Sequence, residues 1–510
     1  MEYSSIMSAT EKENRTMNQP NINTLGELKK SGYKSKSIKE ELRANLIEKM
    51  TKEEDIFPGI LGYEETVIPD IQRAILSGHS MNLLGLRGQA KTRMARGLTR
   101  LLDEWMPIVK GSELNDDPLQ PVSRFAKDLV QEHGDLTPIA WVHRDDRYIE
   151  KLATPDVTVA DLIGDVDPIK AANLKLSYSD ERVIHFGLVP RSNRCIFVIN
   201  ELPDLQPRIQ VALFNILQEG DIQIRGFQLR LNLDIQFVFT ANPEDYTNRG
   251  SIITPLKDRI QSQILTHYPK TIELSQSITL QEAKVNDDQR KRVAVPALIS
   301  ELIELVAFEA RESEYVDQKS GVSARLTISA YENLVAAAER RAIINKEKQT
   351  WATIGDLMAI VPAVTGKVEL VYEGEQEGPQ FVALRLLGQA IRKKFPQIFP
   401  NPDTYKRKKA ESPYDPIIQW FGGNQVELHR DSTTKDRATE LYAVPTLHDL
   451  VVKYCPGTSE NERLLMMEFV LHGLAEYSLI GKAVMDSSIE FSDVMNQLFS
   501  ADNDEDGRYS

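Results

Sequence analysis

The sequence contains few of the residues that stabilise secreted or membrane proteins. Its 510 residues include only two cysteines, Cys195 and Cys455, which argues against a disulfide framework and against a zinc site. No apolar run approaches the roughly 18 to 20 residues that cross a bilayer, and the polar N-terminal segment lacks the apolar core of a secretory signal. We therefore expect a cytoplasmic protein without a membrane segment.

The chain also lacks an excess of basic charge. Lys and Arg total 61 against 75 Asp and Glu, which gives a formal net charge of −14. Nucleic acid binding requires a basic surface that neutralises phosphates, so the charge balance argues against nucleic acid as a partner. The hydrophobic content of 41% and the charged content of 27% are instead typical of a globular protein, and the length favours several domains.

Patterns of hydrophobic residues predict an α/β region followed by helical regions. The runs "MNLLG", "TPIAWVH", "CIFVIN" and "DIQFVFTAN" are candidate buried strands, and helical stretches separate them. Such alternation is typical of a parallel sheet sandwiched by helices. The predicted regions are a disordered N-terminus at 1–24, a helical arm at 25–54, the α/β domain at 55–267, a helical domain at 268–380, a linker at 381–413, a mostly helical C-terminal domain at 414–500 and an acidic tail at 501–510.

The stretch "LLGLRGQAKT" follows the first candidate strand and is close to a phosphate-binding loop of the pattern G-x-x-x-x-G-K-[ST]. In such a loop backbone N–H groups surround the phosphates, the lysine contacts them, and the following hydroxyl binds Mg²⁺. Ala90 replaces the last glycine, and we expect the loop to tolerate it if φ of Ala90 stays negative. The candidate cofactor-binding residues in this loop are Gly85, Gly88, Gln89, Ala90, Lys91 and Thr92.

Three further segments carry polar residues of the types that nucleotide hydrolysis uses. "CIFVINELPDL" places Asn200 and Glu201 after an apolar strand, where an Asp that holds hydrated Mg²⁺ and a Glu that activates water are usual. Because Asn200 brings no negative charge, we expect weaker metal binding and slow turnover; Thr92 and Asn200 are the candidate metal ligands. Asn242, at the end of "IQFVFTAN", is placed to orient the attacking water, and Arg259 in "TPLKDRI" to reach a neighbouring subunit's nucleotide.

Together these segments resemble the AAA+ ATPases, over roughly residues 55 to 340, and among them the branch of the magnesium chelatase ATPase subunit and the MoxR proteins. "GxxGxAKT" is similar to the MoxR form of the loop. "DLIGDVDPIKAANL" is similar to the chelatase insertion that precedes the strand "CIFVIN" and its residues Asn200 and Glu201. The resemblance implies that Asn242 is the sensor 1 residue, Arg259 the arginine finger and Arg325 in "GVSARL" the sensor 2 residue of a helical lid at 268–380. It also implies that Ile60 and Leu61 contact adenine.

The resemblance implies a ring, usually a hexamer, that binds ATP and Mg²⁺ and remodels a partner protein carrying a von Willebrand A domain. One alternative is an assembly switch in which Asn200 makes hydrolysis negligible. Two narrower alternatives are a magnesium chelatase subunit in the literal sense and an AAA+ transcriptional activator. The sequence shows no "GAFTGA"-like loop and no clear helix-turn-helix for the latter.

Overall fold

The computed structural model describes residues 18–175, 181–219, 222–224, 227–229, 231–243, 251–408 and 411–494. The chain divides into two compact units, Met1–His267 and Tyr268–Ser510. Within the described ranges, no helix is long and apolar enough to cross a membrane. The acidic tail predicted at 501–510 and most of the predicted disordered N-terminus lie outside these ranges.

A five-stranded parallel sheet forms the centre of the first unit. Its strands are β1 (Met81–Leu84), β2 (Tyr148–Leu152), β3 (Cys195–Asn200), β4 (Ile235–Ala241) and β5 (Ser262–Leu265), in the spatial order β5-β1-β4-β3-β2. All neighbouring pairs are parallel. The carboxyl ends of the strands therefore lie at one edge of the sheet, and the predicted α/β class is confirmed.

Helices cover both faces of this sheet. Along β3, Phe197 and Ile199 belong to one apolar cluster, whereas Ile196 and Val198 belong to another. Because successive side chains of a strand point to opposite faces, β3 contributes to a core on each side. This double burial explains why the central strands are continuous apolar runs.

The strand composition of the sheet differs from the prediction at one edge. Ile139–His143, predicted as a strand of the sheet, pairs antiparallel with Trp105–Val109 in a separate two-stranded sheet. The edge position is held by β2, with the sequence "YIEKL", whose residues are half-buried or exposed. An edge strand with one open side can mix polar and apolar residues, and for this reason β2 lacks the apolar run that identifies the central strands.

The segment predicted as a helical arm packs against the first unit. Helix Ile38–Thr51 begins at a Ser37 capping box, and its residues Leu42 and Leu46 belong to the same apolar cluster as Met81 of β1. Nearer the N-terminus, the backbone carbonyl of Asn23 accepts a hydrogen bond from the amide of Ile139 at 2.9 Å. In the structure the arm therefore shares the core of the α/β region, and residues 23 and 24 of the predicted disordered segment are attached to it.

The second unit is mostly helical, as predicted, and contains one large apolar cluster. The cluster extends from Val293 to Phe491 and includes residues of helix Pro379–Lys394. This helix lies inside the range predicted as a linker, 381–413, yet buries Val382, Leu386 and other residues along one face. The helical domain at 268–380 and the C-terminal domain at 414–500 therefore share one core in the structure instead of being separated by a linker.

The remaining elements complete the two units. The α-helices of the first unit are Leu25–Lys30, Ile38–Thr51, Val67–Leu76, Lys91–Gly97, Arg124–His133, Val159–Leu162, Pro168–Leu174, Leu188–Arg191, Pro207–Glu219 and Thr254–Arg259. Those of the second unit are Ile272–Glu282, Asp287–Arg292, Ala297–Glu312, Arg325–Ile344, Val361–Thr365, Tyr372–Glu377, Pro379–Lys394, Pro402–Lys408, Asp415–Phe421, Thr434–Tyr442, Leu447–Tyr454 and Glu460–Glu476. The strands outside the central sheet are Trp105–Val109, Ile139–His143, Gly164–Val166, Ile184–Phe186, Ile222–Ile224, Phe227–Leu229, Val293–Ala294, Thr350–Trp351, Val426–His429, Gly481–Val484 and Ser488–Ser492.

Candidate functional site

The loop between β1 and helix Lys91–Gly97 lies at the carboxyl edge of the sheet. The amide of Gly85 donates to the carbonyl of Ala241, the last residue of β4, at 3.1 Å. A Cβ at Gly85 would collide with the side-chain oxygens of Thr266 and Gln89. Glycine is therefore required at the first position of the loop because the backbone runs against its neighbours, whereas Gly88 is favoured by its φ of +73°.

Ala90 has a left-handed backbone, which corrects the expectation of a negative φ. Its φ is +56° and its ψ is +17°, at the residue that precedes helix Lys91–Gly97. For a residue with a Cβ this conformation costs about 1–2 kcal/mol. The glycine of the standard pattern would adopt it freely, so the alanine here is a strained residue that the surrounding loop holds in place.

Lys91 connects the loop to the end of β4. Its Nζ donates to the carbonyl oxygens of Gly85 and, at 2.8 Å, of Leu86, and to Oδ1 of Asn242 at 2.7 Å. The structure thus brings together the two residues that the sequence predicted as the phosphate-binding lysine and the sensor asparagine. Thr92, the predicted metal ligand, is exposed at the start of the same helix.

Gln89 fixes the loop from the opposite side. Its buried side-chain oxygen accepts a hydrogen bond from Oγ1 of Thr266 at 2.6 Å. The hydroxyl of Tyr63 lies 3.1 Å from the carbonyl oxygen of Gln89 and 2.8 Å from that of His267. The predicted adenine contacts, buried Ile60 and half-buried Leu61, are in the turn that Tyr63 ties to the loop.

Asn200 is the centre of a chain of hydrogen bonds at the ends of β2, β3 and β4. Its Nδ2 donates to Oε1 of Glu150, and its Oδ1 accepts from Oγ1 of Thr240 at 3.1 Å. Oγ1 of Thr240 in turn accepts from the backbone amide of Glu201 at 3.2 Å. The two ends of the Asn200 amide therefore have different partners, and these partners fix its orientation.

Glu150 also interacts with the helix that follows the loop. Its Oε2 accepts from a guanidinium nitrogen of Arg96 at 3.0 Å and from the hydroxyl of Tyr148 at 3.1 Å. Burial and the nearby carboxylate of Glu150 raise the pKa of Tyr148 far above its usual range, so its hydroxyl remains a donor. The carboxylate of Glu150 thus has one oxygen toward Asn200 and the other toward Arg96.

Glu201, the predicted base, has the second strained backbone at this edge. Its φ is +57°, in the turn between β3 and the short 3-10 helix Leu202–Asp204. Residues other than glycine and asparagine rarely adopt the left-handed backbone conformation, and those that do are concentrated at ligand sites and active sites. Ala90 and Glu201 both follow parallel strands whose ends lie at the same edge, and this coincidence is consistent with a binding site there.

The two predicted arginines belong to other elements. Arg259 is the last residue of helix Thr254–Arg259 in the first unit, and its guanidinium donates to the carbonyl of Pro255 at 2.7 Å. Arg325 is the first residue of helix Arg325–Ile344 in the second unit. The assignments of Arg259 as arginine finger and of Arg325 as sensor 2 therefore stay predictions.

Sequence reasoning missed several residues that support the site. Glu150, Thr240 and Thr266 all lie in or directly after strands of the sheet, and each bonds to a residue that had been predicted. For Thr240 a signal was present, because it is a polar residue near the end of an otherwise apolar strand. Glu150 lies in the edge strand that the apolar pattern did not reveal.

The comparisons with known proteins point to one family for this part of the chain. Residues 139–260 match the family model of the AAA domain, dynein-related subfamily. The match includes β2, β3, β4 and Arg259, and begins after the loop at 85–92. No curated protein matches the sequence.

Similar solved structures include an ATPase candidate from Cytophaga hutchinsonii, with 16% identity, 72% of this chain and 98% of that chain covered, and a TM-score of 0.28. Another is the complex of the BchI and BchD subunits of magnesium chelatase, with 17% identity, coverages of 63% and 98%, and a TM-score of 0.32. A third is NtrX from Brucella abortus with ADP, with 12% identity, coverages of 72% and 69%, and a TM-score of 0.33. At TM-scores this low the likeness does not extend to function. Residues 139–260 of the first unit are therefore similar to the AAA domain, and they contain three strands of the parallel sheet.

Proposed function

We propose that the chain binds ATP with Mg²⁺ at the carboxyl edge of the sheet and hydrolyses it. The observation that carries this proposal is the 2.7 Å hydrogen bond between Lys91 Nζ and Asn242 Oδ1, beside the strand that ends at Asn200 and Glu201. In this assignment Lys91 contacts the β and γ phosphates, Asn242 orients the attacking water, and Glu201 activates it. Gly85, Gly88, Gln89 and Ala90 supply the loop backbone.

The residues present fit a hydrated Mg²⁺ ion with a neutral ligand. Thr92 offers an exposed hydroxyl, and Asn200 Oδ1 accepts one hydrogen bond, which leaves a second lone pair for a metal-bound water. When bound, Mg²⁺ would neutralise charge on the phosphate oxygens. Asn200 contributes no charge of its own, so by itself it would bind the metal more weakly than an aspartate.

Steady-state phosphate release by the purified full-length protein tests the proposal. We expect Glu201→Gln to lower the rate by about a hundredfold or more, since general base catalysis contributes on the order of 10²–10⁴, while ATP binding is retained. Lys91→Ala should lose ATP binding itself. The matched controls, Glu132→Gln and Lys127→Ala, change exposed residues of helix Arg124–His133 and should leave the rate unchanged. Equal rates in the wild type and in Glu201→Gln would refute the assignment of the base.

A second function, an ATP-dependent assembly switch with negligible hydrolysis, is favoured by the amide at position 200. Here ATP would change the size of the assembly, while phosphate release stays at background. Sedimentation with and without ATP, combined with the rate measurement, separates the two functions. Brisk release that depends on Glu201 would exclude the switch.

The family resemblance suggests a ring, usually a hexamer, in which Arg259 acts on the nucleotide of the adjacent subunit. Half-exposed Arg259 lies at the end of its helix, and Arg325, at the start of its own helix, is the proposed sensor 2 residue. Mixing Arg259→Ala protein with Lys91→Ala protein tests the ring. If the arginine acts between subunits, the mixture should recover hydrolysis, because an intact nucleotide site can meet an intact arginine. No recovery, with each variant fully folded, would contradict action between subunits.

The partner that we propose is a protein with a von Willebrand A domain, which this chain would remodel. This part rests on the resemblance alone. An increase in phosphate release when such a domain is added, absent with Glu201→Gln, is the expected result. A domain that binds without changing the rate would instead favour a scaffold.

A further inference from the structure

The negative charge that is missing at position 200 has a counterpart on the neighbouring strand. Glu150 of β2 receives a hydrogen bond from Nδ2 of Asn200. The side chains lie on the same face of the sheet, because Glu150 pairs with Val198 in the register of β2 and β3, and Val198 is two residues from Asn200.

This face is the one against which the loop helix packs. Val198 belongs to the same apolar cluster as Met94 of helix Lys91–Gly97, and Arg96 of that helix contacts Glu150. The helix begins at Lys91 and Thr92, the residues assigned to phosphate and metal. Glu150 therefore lies on the face of the sheet that is covered by this helix, whose first residues would bind the nucleotide and its metal.

Asn200 and Glu150 are so close that a second negative charge, at position 200, would be unfavourable. An aspartate at position 200 would place two carboxylates at hydrogen-bonding distance, where like charges strongly disfavour joint ionisation. The asparagine removes this conflict by donating to Glu150. Its carbonyl still accepts from Thr240 at 3.1 Å, as an aspartate oxygen would.

The ion pair between Glu150 and Arg96 is weak, so the carboxylate of Glu150 can still interact with a cation. The side chain of Arg96 is 66% exposed, and that of Glu150 is 25% exposed. Such partly exposed pairs are worth roughly 0–1 kcal/mol because water screens them and the long arginine side chain loses freedom. A divalent cation nearby would compete readily for the carboxylate.

We propose that Glu150 and Asn200 form one unit that carries a single negative charge, and that Glu150 supplies to the Mg²⁺ side of the site the charge that an aspartate at 200 would supply. Glu150 is in this sense a positioning residue, acting through Asn200 and through its charge. The metal part of the inference rests on the proposed ATP-binding function, whereas the sharing of one charge between the two positions does not.

A charge-swap cycle tests the inference on the full-length protein. The proteins are the wild type, Glu150→Gln, Asn200→Asp, the double variant Asn200→Asp with Glu150→Gln, and the exposed control Glu132→Gln. The double variant keeps the hydrogen bond between the two positions, with the glutamine amide as donor. It moves the negative charge from position 150 to position 200. The melting temperature without ligand is one readout. The other is the Mg²⁺ concentration that half-saturates the binding of a fluorescent ATP analogue.

We expect Asn200→Asp alone to lower the melting temperature and the double variant to restore it. We also expect Glu150→Gln to raise the half-saturating Mg²⁺ concentration by about tenfold, the change that 1.4 kcal/mol produces, and the double variant to reverse this increase. An unchanged Mg²⁺ requirement in Glu150→Gln would overturn the metal role and leave Glu150 as a structural partner of Asn200.

The two readouts distinguish this inference from the proposed function. If the wild type binds no ATP analogue, the proposed function fails and the metal role fails with it. The melting temperatures still decide whether the two positions share a charge. Rescue in the double variant supports sharing, and additive losses from the two substitutions contradict it.

Discussion

The carboxyl edge of the sheet in the first unit and the helical core of the second unit use polar side chains in contrasting ways. At the carboxyl edge of the first unit, Lys91, Glu150 and Asn200 are half-buried, and the hydrogen bonds of Asn200 and Glu150 lead to exposed Arg96. In the second unit, ion pairs lie within the helical core.

The pair of Arg437 and Glu468 has side chains 4% and 1% exposed, and that of Arg341 and Asp356 has side chains 2% and 5% exposed. A half-buried network can exchange its partners for water or a ligand at low cost, whereas a fully buried charge cannot. The first arrangement suits binding, and the second fixes the packing of helices.

The largest effect should come from breaking a buried pair of the second unit. Arg437→Met leaves the carboxylate of Glu468 buried without its guanidinium, so we expect the free energy of unfolding of this unit to fall by about 3–5 kcal/mol. Arg340→Met breaks a pair with Asp431 whose side chains are 66% and 46% exposed, and should cost about 0–1 kcal/mol. Hydrogen exchange in helix Glu460–Glu476 localises the effect. Similar losses in both variants would remove the contrast between buried and exposed pairs.

The next effect concerns the loop of the first unit. Gly85→Ala places a Cβ against the side chains of Thr266 and Gln89, and overpacking of this kind costs about 1–3 kcal/mol. We expect both the melting temperature and ATP affinity to fall. Gly423→Ala, where a Cβ meets no atom within 4 Å, is the matched control. An unaffected ATP affinity in Gly85→Ala would show that the loop backbone is free to move.

Acid should weaken the second unit through His472. This side chain is fully buried, neither ring nitrogen has a hydrogen-bond partner among the described residues, and burial lowers its pKa well below 6.5. In the unfolded chain the same histidine has an ordinary pKa near 6.5, so below that pH the unfolded state gains a proton that the folded state does not. The histidine therefore adds no pH dependence above about pH 6.5, and the stability of the fold decreases progressively below it.

The expected loss is about 1.4 kcal/mol per pH unit at most. Urea unfolding from pH 7 to pH 5 measures it. His472→Phe should flatten this dependence, whereas His448→Gln, at a more exposed position, should preserve it. The same slope in wild type and His472→Phe would assign the acid sensitivity to other groups.

The smallest effect is expected at Ala90. Ala90→Gly relieves a left-handed conformation that costs about 1–2 kcal/mol, but glycine also gives up about 0.5–1 kcal/mol through the greater freedom of the unfolded chain. We therefore expect the free energy of unfolding to rise by about 1 kcal/mol or less. The same substitution at Ala172, an exposed residue of helix Pro168–Leu174, should instead lower it. A loss of stability in both would mean that the loop does not strain Ala90.

The features that the sequence predicted well depend on local patterns. The central strands are apolar runs because both faces of a parallel sheet are buried, and the polar residues after them, such as Asn200 and Asn242, necessarily come to one edge. The loop at 85–92 follows from the spacing of its residues within ten positions. These parts of the fold and of the candidate site could be predicted without any tertiary contact.

The features that failed depend on contacts between distant segments. The edge strand β2 could not be distinguished from Ile139–His143 by composition, since pairing decides which of them joins the sheet. The left-handed backbone of Ala90 is imposed by the loop around it. Helix Pro379–Lys394 was concealed by the charged segment that follows it, although its buried face packs into the core of the second unit.

The contact between helix Ile38–Thr51 and Arg147, which directly precedes β2, determines how the first unit can be shortened. The guanidinium of Arg147, 1% exposed, donates to both carboxylate oxygens of Glu41 at 2.7 Å. A fragment that starts at residue 55, the boundary predicted from the sequence, would lose Glu41 and leave Arg147 buried with an uncompensated charge. A fragment that starts before Ser37 keeps the ion pair between Arg147 and Glu41 and the helix cap. We expect it to be the shortest form of this unit that can be expressed alone.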